Sequence, residues 1–130
     1  MSQMTHGEAT SMPKKQDRLE TLRASLDQFA AERDWNQFHN PKNLAMALTG
    51  EVGELVEHFQ WLTFEQAENL SAATREEVAL EAADVLLFLI RLCDKVGIDL
   101  AAAAERKLAL NAKKYPVQKS RGRATKYDKL

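Results

Sequence analysis

Four stretches of the chain repeat apolar residues at spacings of three and four, the pattern of helices that bury one stripe. The first predicted helix spans residues 17–33, and its stripe consists of Leu19, Leu22, Leu26, Phe29 and Ala30. The second begins at Asn40-Pro41, because asparagine can cap a helix and proline suits the first helical position. We expect it to continue to about Trp61.

A polar connector at residues 63–73 separates the second predicted helix from the third. Thr74, with Glu77 three residues later, has the form of a capping box, so the third helix should begin at Thr74. It should run to about Val96 and stop at Gly97, a residue type common just beyond helix ends. Residues 85–90 are apolar at every position, which predicts that this helix is buried on all sides.

A fourth helix is predicted from Leu100 to about Lys114. Asp99 can cap its first turn, and Pro116 prevents it from continuing. No stretch alternates apolar and polar residues in the way of a half-buried strand. The fold class is therefore all-α, and four helices with short links favour a four-helix bundle-type domain over residues 17–116.

Polar segments flank this domain on both sides. Residues 1–16 show no helical period, and we expect them to form a flexible N-terminal lead. Residues 117–130 form a basic C-terminal tail with no periodic apolar face. Such tails are usually solvated and mobile, and the alternative is a basic flap that contacts phosphate groups.

Composition excludes several classes of protein. The formal net charge is −1, from 18 basic and 19 acidic residues, which gives no general attraction to nucleic acid polymers or anionic membranes. No stretch approaches the roughly 20 apolar residues of a membrane span. Cys93 is the single cysteine, which excludes an internal disulfide and a zinc site built on cysteine pairs. The N-terminus lacks the apolar segment of a signal peptide, and we expect a cytoplasmic protein.

Two acidic dyads carry the strongest chemical signal. Glu51 and Glu54 lie three residues apart on one side of the second predicted helix, and Glu81 and Asp84 repeat this arrangement on the third. Both dyads stand in apolar sequence, so we expect the helices to bury all four acids, and buried carboxylates are costly unless they are paired or bind metal. Converging carboxylates would raise each other's pKa, and a divalent cation would relieve their repulsion. A ligand set of oxygens favours Mg²⁺, or Mn²⁺, over zinc.

An interpretation without metal stays open at this point. Acidic pairs are common on surface helices, and Lys42 or Arg91 could neutralise these. Gly50 and Gly53 also interrupt the acidic helix, at about 1 kcal/mol each relative to alanine. They would permit close approach of another helix or of a ligand.

The dyads resemble the signature of a known family. Glu51-Val-Gly-Glu54, followed 27 positions after Glu54 by Glu81-Ala-Ala-Asp84, is similar to the EXXE…EXXD motif of the MazG-like all-α nucleoside triphosphate pyrophosphatases. The chain most resembles their dCTP pyrophosphatase branch, over roughly residues 19–127. The further matching segments are Phe29-Ala-Ala-Glu-Arg-Asp-Trp35, Gln37-Phe38-His39, Phe59-Gln60-Trp61, Asp84-Val-Leu86 and Tyr115-Pro116.

The resemblance implies a reaction and a set of site residues. Members hydrolyse the bond between the α- and β-phosphates of a nucleoside triphosphate, releasing a monophosphate and pyrophosphate. By resemblance, the four acids of the dyads bind Mg²⁺, and Glu51 or Glu54 is also catalytic, orienting or deprotonating the attacking water. Contacts to the base, sugar and phosphates are implied for Trp35, Trp61, Phe88, Lys107, Asn111, Lys114 and Tyr115.

Two departures from the branch bear on selectivity. The branch commonly has a tyrosine where Phe88 stands and a histidine where Leu26 stands. Loss of a hydroxyl and an imidazole would loosen the choice of nucleotide, so dCTP, modified dCTP and other triphosphates remain candidates.

The mode of assembly and an alternative function complete the expectations. Family members are dimers or tetramers, and three short helices cannot cover the apolar third helix, so we expect a homo-oligomer, a tetramer in preference to a dimer. The alternative function is a non-catalytic helical interaction module whose acids are surface charges. A di-iron protein fits less well, because that class needs Glu-x-x-His pairs where Glu54 and Asp84 end the dyads.

Overall fold

The structure, a computed structural model, describes residues 18–130, so the lead predicted at residues 1–16 lies outside the described residues. Residues 18–130 contain helices and no strand, which confirms the all-α prediction. In chain order the elements are α1 Arg18–Glu32, α2 Pro41–Glu57, α3 Phe64–Glu68, α4 Ala72–Lys95, α5 Leu100–Lys114, α6 Val117–Ser120 and a 3₁₀ turn at Tyr127–Lys129.

Local capping sets three of the helix ends as predicted. The Asn40 side chain accepts a hydrogen bond from the Asn43 N–H at 2.9 Å, directly before Pro41 at the start of α2. Asp99 accepts one from the Ala102 N–H at 3.1 Å and so begins α5. Gly97 follows α4 with a φ of 73°, a conformation open to glycine and strained for most other residues.

Two predicted boundaries are wrong. α4 starts at Ala72, because Ser71 rather than Thr74 caps it and the Ser71 Oγ accepts from the Thr74 N–H at 3.1 Å. α2 ends at Glu57 instead of about Trp61. The His58 N–H bonds to the carbonyl three residues back, which tightens the last turn, and residues 58–61 continue as turns.

α1, α2 and α4 form the packed core. α4 packs mainly along α2 and to a lesser extent on α1, whereas α5 packs only sparsely on the rest of the described chain. The four long helices are present, but α5 is not embedded in a closed bundle, and its Leu108 is 71 % exposed. Among the described helices, none combines the length and the apolar character that crossing a bilayer requires.

The apolar α4 is buried on one side only. Ile90 and Cys93 lie in the core, and burial raises the pKa of the Cys93 thiol. Leu80, in contrast, is 60 % exposed, because α1 and α2 cover only part of the helix surface. The prediction of a helix buried on all sides is therefore wrong for a single chain.

Candidate active site

Packing of α2 against α4 brings three of the four predicted acids together. Glu51 on α2 and Glu81 and Asp84 on α4 each place one carboxylate oxygen within 4.8 Å of the other two. In the part of the chain that the structure describes, no other set of acids, histidines and cysteines converges in this way. Glu54 adjoins the group, since its carboxylate acts on the pKa of both Glu51 and Glu81.

The electrostatics of this acidic cluster (Glu51, Glu54, Glu81 and Asp84) are unfavourable without a cation. Burial, then the neighbouring Glu54 carboxylate, raises the pKa of Glu51 to about 7, and Asp84 and Glu81 add to the effect. Burial and the same Glu54 carboxylate also raise the pKa of Glu81. One oxygen of Glu51 and one of Glu81 are buried without a hydrogen-bond partner. A set of oxygen donors with unused lone pairs and mutual repulsion fits a hard divalent cation such as Mg²⁺.

No lysine or arginine of the described chain neutralises the cluster. Arg91 pairs with Asp27 at 2.9 Å instead, and Lys42 forms no ion pair within residues 18–130. The basic side chain nearest the cluster is His58, whose Nε2 lies 4.0 Å from Glu81 and whose Nδ1 lies 3.8 Å from Glu77. The interpretation in which Lys42 or Arg91 neutralises the acids is therefore wrong.

The cluster is open to solvent on one side. Glu54 and Asp84 are exposed, whereas Glu51 and Glu81 are half-buried. The expectation that all four acids are buried by their apolar helices is thus wrong for Glu54 and Asp84. The open side leaves a route by which a ligand can reach the carboxylates.

A cavity of about 450 Å³ adjoins the cluster through Asp84. Its remaining lining is mostly apolar and comes from α1, the α1–α2 connector and α4: Leu22, Ser25, Leu26, Phe29, Ala30, Trp35, His39, Leu87, Phe88 and Arg91. Two residues predicted to bind substrate, Trp35 and Phe88, are therefore brought next to the acids. The volume of this cavity falls in the range of cavities that bind small molecules.

The end of α1 positions Trp35 at this cavity. Asp34 adopts a left-handed conformation with a φ of 54°. Its N–H bonds to the Ala31 carbonyl at 3.1 Å and the Trp35 N–H to the Ala30 carbonyl at 2.9 Å, the hydrogen bonds of a Schellman motif. The Phe29 ring meets Trp35 edge-on, with centroids 5.6 Å apart. A rigid turn and an aromatic contact therefore hold the indole in place.

The other predicted substrate residues lie elsewhere in the single chain. Trp61 is 86 % exposed and does not line this cavity. Within residues 18–130, no hydrogen bond or ion pair joins the α5 residues Lys107, Asn111 and Lys114 to the acidic cluster. Tyr115 contacts the tail, its ring meeting that of Tyr127 edge-on at 6.0 Å. The roles of these residues stay predictions.

Sequence reasoning missed a polar network around Arg91. Arg91 is 3 % exposed and donates to Asp27 at 2.9 Å, to the Asn36 side chain and to His39 Nδ1 at 3.2 Å. The network ties α4 to α1 and to the connector that carries Trp35. A single arginine directly after an apolar run was the available signal, because a buried arginine needs hydrogen-bond partners.

The raised pKa of Glu51 predicts a pH dependence of metal binding. A cation must displace the proton that Glu51 holds below about pH 7, so apparent Mg²⁺ affinity should weaken by up to about tenfold per pH unit below that value.

Without metal the folded chain binds this proton where the unfolded chain, with a pKa near 4.5, has lost it. Metal-free stability should therefore fall as pH rises from about 4.5 to about 7. Calorimetric Mg²⁺ titrations and thermal unfolding across this window measure both trends, and flat profiles would contradict the burial of Glu51.

Fold and site together define an all-α protein whose two packed helices present converging carboxylates suited to a divalent cation. The sequence profile of the MazG-like family matches residues 47–130, which contain all four acids. The chain belongs to the MazG-like family.

Individual relatives agree with this assignment. dCTP pyrophosphatase 1 from Bos taurus is 46 % identical over 114 residues, which cover 86 % of this chain and 68 % of that protein. The Homo sapiens protein of the same name is 41 % identical over 133 residues, covering 97 % and 78 %. The crystal structure of a pyrophosphatase from Archaeoglobus fulgidus has a TM-score of 0.71 and 39 % identity, covering 75 % of this chain and 92 % of that chain. The resemblance to the dCTP pyrophosphatase branch is confirmed, and the chain is an enzyme, a hydrolase of the pyrophosphatase type.

Proposed function

We propose that this enzyme is a Mg²⁺-dependent nucleoside triphosphate pyrophosphohydrolase that converts a dNTP to its monophosphate and pyrophosphate. The observation that carries the proposal is the convergence of Glu51, Glu81 and Asp84 within 4.8 Å beside an aromatic-lined cavity. Relatives named dCTP pyrophosphatase 1 support dCTP, or a modified dCTP, as the substrate. Housecleaning of the nucleotide pool, in the cytoplasm, is the cellular role that we attach to this activity.

The acidic cluster would bind the metal and activate water. When bound, the cation would neutralise charge on the triphosphate and favour ionisation of water at the site. Glu54 is exposed beside Glu51 and Glu81, where water can enter with the substrate. Glu51 or Glu54 would orient the attacking water and accept its proton, and pyrophosphate would leave from the opposite side of the phosphorus. Most of the catalysis would come from positioning and electrostatics, which suits rigid helices.

The cavity beside Asp84 supports a nucleobase-binding role. A base stacks on any aromatic face, at roughly 1–3 kcal/mol, and Trp35 and Phe88 both line the cavity. Leu26 and Phe88 form part of the apolar wall where the branch commonly has polar groups. An apolar wall at these positions would tolerate added carbon on a base, which favours 5-substituted cytosine nucleotides among the candidates.

A substrate panel tests the proposal. Purified protein with Mg²⁺ should release pyrophosphate, rather than single phosphates, from at least one of dCTP, 5-methyl-dCTP, dTTP, dATP and dGTP. Specificity constants across the panel then identify the preferred base. Absence of turnover with every nucleotide, in protein that is folded and binds Mg²⁺, would favour the helical interaction module instead.

A homo-oligomer, a dimer or a tetramer, is part of the proposal. The outer face of α2 exposes Met46, Val52 and Val56, and a Cβ built at Gly50 or Gly53 meets nothing within 4 Å. Packing within the described chain therefore does not explain these two glycines. Close approach of a second copy would explain them, and it would also cover the exposed side of α4.

Assembly would also complete the substrate site. Trp61 and the α5 lysines lie apart from the acidic cluster within one chain, and α5 packs only sparsely on the core. A neighbouring copy could supply its α5 and its Trp61 to this cluster. The phosphate-binding and sugar-binding roles proposed for Lys107, Asn111, Lys114 and Tyr115 would then operate between copies.

Replacement of Gly53 by alanine should distinguish a monomeric chain from one in which a second copy packs against α2. In a monomer, Gly53→Ala removes a helix-interior glycine and should stabilise the fold by up to about 1 kcal/mol. With a second copy against α2, the added methyl should weaken assembly. We expect light scattering to give a multiple of 14.7 kDa for the wild type and a smaller mass for Gly53→Ala.

Gly97→Ala is the matched control for this variant. It makes the same chemical change at the end of α4, where the φ of 73° should cost stability without changing the mass. A monomeric wild type at micromolar concentration, together with a more stable Gly53→Ala variant, would contradict the assembly.

A further inference from the structure

His58 lies one helical turn beyond the acidic cluster, on the face of α2 that carries Glu51 and Glu54. These three residues follow one another at spacings of three and four. His58 is the last residue before the chain turns away from α2, and it keeps helical backbone angles, with φ at −67° and ψ at −21°. On α4, Glu77 stands one turn before Glu81. His58 and Glu77 thus extend the two rows of acids by one turn each.

The ring of His58 lies between two carboxylates of α4. Its Nδ1 is 3.8 Å from Glu77 Oε2, and its Nε2 is 4.0 Å from Glu81 Oε1. The Glu77 side chain is exposed, whereas those of His58 and Glu81 are half-buried where α2 meets α4. A shift of about 1 Å in the Glu81 carboxylate would bring Oε1 to hydrogen-bond distance of Nε2. His58 is therefore placed to donate to Glu81 from inside the contact between the two helices.

The two carboxylate oxygens of Glu81 have different surroundings. Oε1 faces His58, whereas Oε2 is buried without a hydrogen-bond partner in the described chain. Burial, then the Glu54 and Asp84 carboxylates, raises the pKa of Glu81, and His58 acts in the opposite direction because it stabilises the ionised carboxylate. One oxygen is thus directed at the imidazole, and the other keeps its lone pairs for a cation.

A carboxylate that binds a cation has to give up rotational freedom. Hydrogen bonds from groups outside the ligand set hold such a carboxylate in its binding orientation, and their loss typically weakens metal affinity about 10- to 100-fold. Among the ion pairs of residues 18–130, the one that Glu81 makes is with His58. The last turn of α2 fixes the backbone of His58, since its N–H bonds to the Leu55 carbonyl at 3.3 Å. His58 is thus a donor on a fixed backbone, beside a carboxylate that needs an orientation.

We propose that His58 is a positioning residue of the metal site, whose Nε2–H donates to Oε1 of Glu81 and so presents Oε2 to the divalent cation. This inference rests on the proposed function, because it requires the acidic cluster to bind Mg²⁺. It assigns His58 no contact with the nucleotide and no part in the chemical step. The effect of His58 is on how tightly the metal is held.

Calorimetric titration of the metal-free protein with Mg²⁺ tests the positioning role. Removal of the donor in His58→Leu should weaken Mg²⁺ binding by about 10- to 100-fold. Gln60→Leu is the matched control, since Gln60 is exposed in the turns that follow α2, and it should leave the affinity unchanged. Loss of a positive charge alone would tighten cation binding, so unchanged or tighter binding in His58→Leu would overturn the inference. A wild type that binds no Mg²⁺ would overturn the proposed function itself.

Two amide variants carry the same test if His58→Leu does not fold. Glutamine places its amide nitrogen near the position of Nε2, whereas the shorter asparagine side chain reaches only the position of Nδ1. We expect His58→Gln to bind Mg²⁺ more tightly than His58→Asn. Equal affinities of these two variants would contradict a hydrogen bond from His58 to Glu81.

Pyrophosphate release as a function of Mg²⁺ concentration separates positioning from catalysis. His58→Leu should raise the Mg²⁺ concentration at half-maximal rate by about the same factor as it weakens binding. The kcat at saturating Mg²⁺ should change far less, because Glu81 is then held by the cation that it binds. A lower kcat with unchanged metal affinity would indicate a structural or catalytic role for His58 and overturn the inference.

Discussion

Replacing Glu51 by glutamine should reduce pyrophosphate release by at least about 100-fold, because loss of even an outer partner of a metal ligand typically costs 10–100-fold. The same change should raise the unfolding temperature of the metal-free protein. Burial and the Glu54 carboxylate raise the pKa of Glu51 to about 7, so its charged form is held against repulsion at neutral pH. The amide removes that repulsion and also removes an anionic oxygen that a cation would use.

A loss of activity together with a gain in metal-free stability in Glu51→Gln would distinguish a metal-binding acid from an acid that only supports the fold. Addition of Mg²⁺ should raise the unfolding temperature of the wild type by more than that of Glu51→Gln. Glu57→Gln is the matched control, since Glu57 lies on the same helix and is exposed outside the cluster. If Glu51→Gln retains activity, or if Glu57→Gln loses as much, the acidic cluster is not the catalytic centre.

The largest expected effect on folding comes from Arg91→Met. Arg91 is buried, and its three hydrogen bonds to Asp27, Asn36 and His39 join α4 to α1 and to the α1–α2 connector. At roughly 1 kcal/mol for each bond to these partly exposed partners, the variant should lose about 3 kcal/mol of unfolding free energy. Methionine fills much of the same volume, so the loss reports the polar network rather than a void.

Chemical denaturation at one fixed protein concentration measures this loss. Arg75→Met, on the exposed surface of the same helix, is the control and should change stability by less than about 0.5 kcal/mol. Equal stability of the two variants would mean that the network around Arg91 contributes nothing to folding. The Arg91 variant should also become more susceptible to proteolysis in the connector, because its ties to Asn36 and His39 are gone.

Features encoded over a few residues were predictable from the sequence. Asn40-Pro41 and Asp99 start α2 and α5 as expected, because side-chain capping is a local interaction. The predicted start of α4 was wrong because two hydroxyl residues, Ser71 and Thr74, can both serve as the N-cap. Ala72 and Ala73 favour helix, so the helix begins before Thr74 and Ser71 is the cap.

The single-turn helix α3 was missed although its signal was present. Five residues are too few to show a helical period, so the connector reads as merely polar. Thr63 and Gln66 nevertheless form a reciprocal capping box, with the Gln66 side chain accepting from the Thr63 N–H at 3.0 Å. A search for capping pairs in polar connectors would have found it.

Among the features of the site that depend on tertiary packing, some were predictable from the sequence and others were not. The convergence of Glu51, Glu81 and Asp84 was predictable, because acids recur three residues apart in two apolar helices that can pack together. The cavity and the Arg91 network were not, since Arg91 and its partner His39 are 52 residues apart and their bond depends on how α1 and α4 are packed. The partner of a buried polar group is decided by tertiary packing, which leaves no periodic trace in the sequence.

The burial of Cys93 has a practical consequence for labelling chemistry. Thiol reagents attack the thiolate, and a buried thiol with a raised pKa reacts slowly. Because the chain has no other cysteine, one introduced at the exposed Ala112 on α5 would take up a maleimide dye at a single site. When donor-labelled and acceptor-labelled chains are mixed in solution, resonance energy transfer would occur only where copies associate. Its efficiency would report the distance between the α5 helices of two copies.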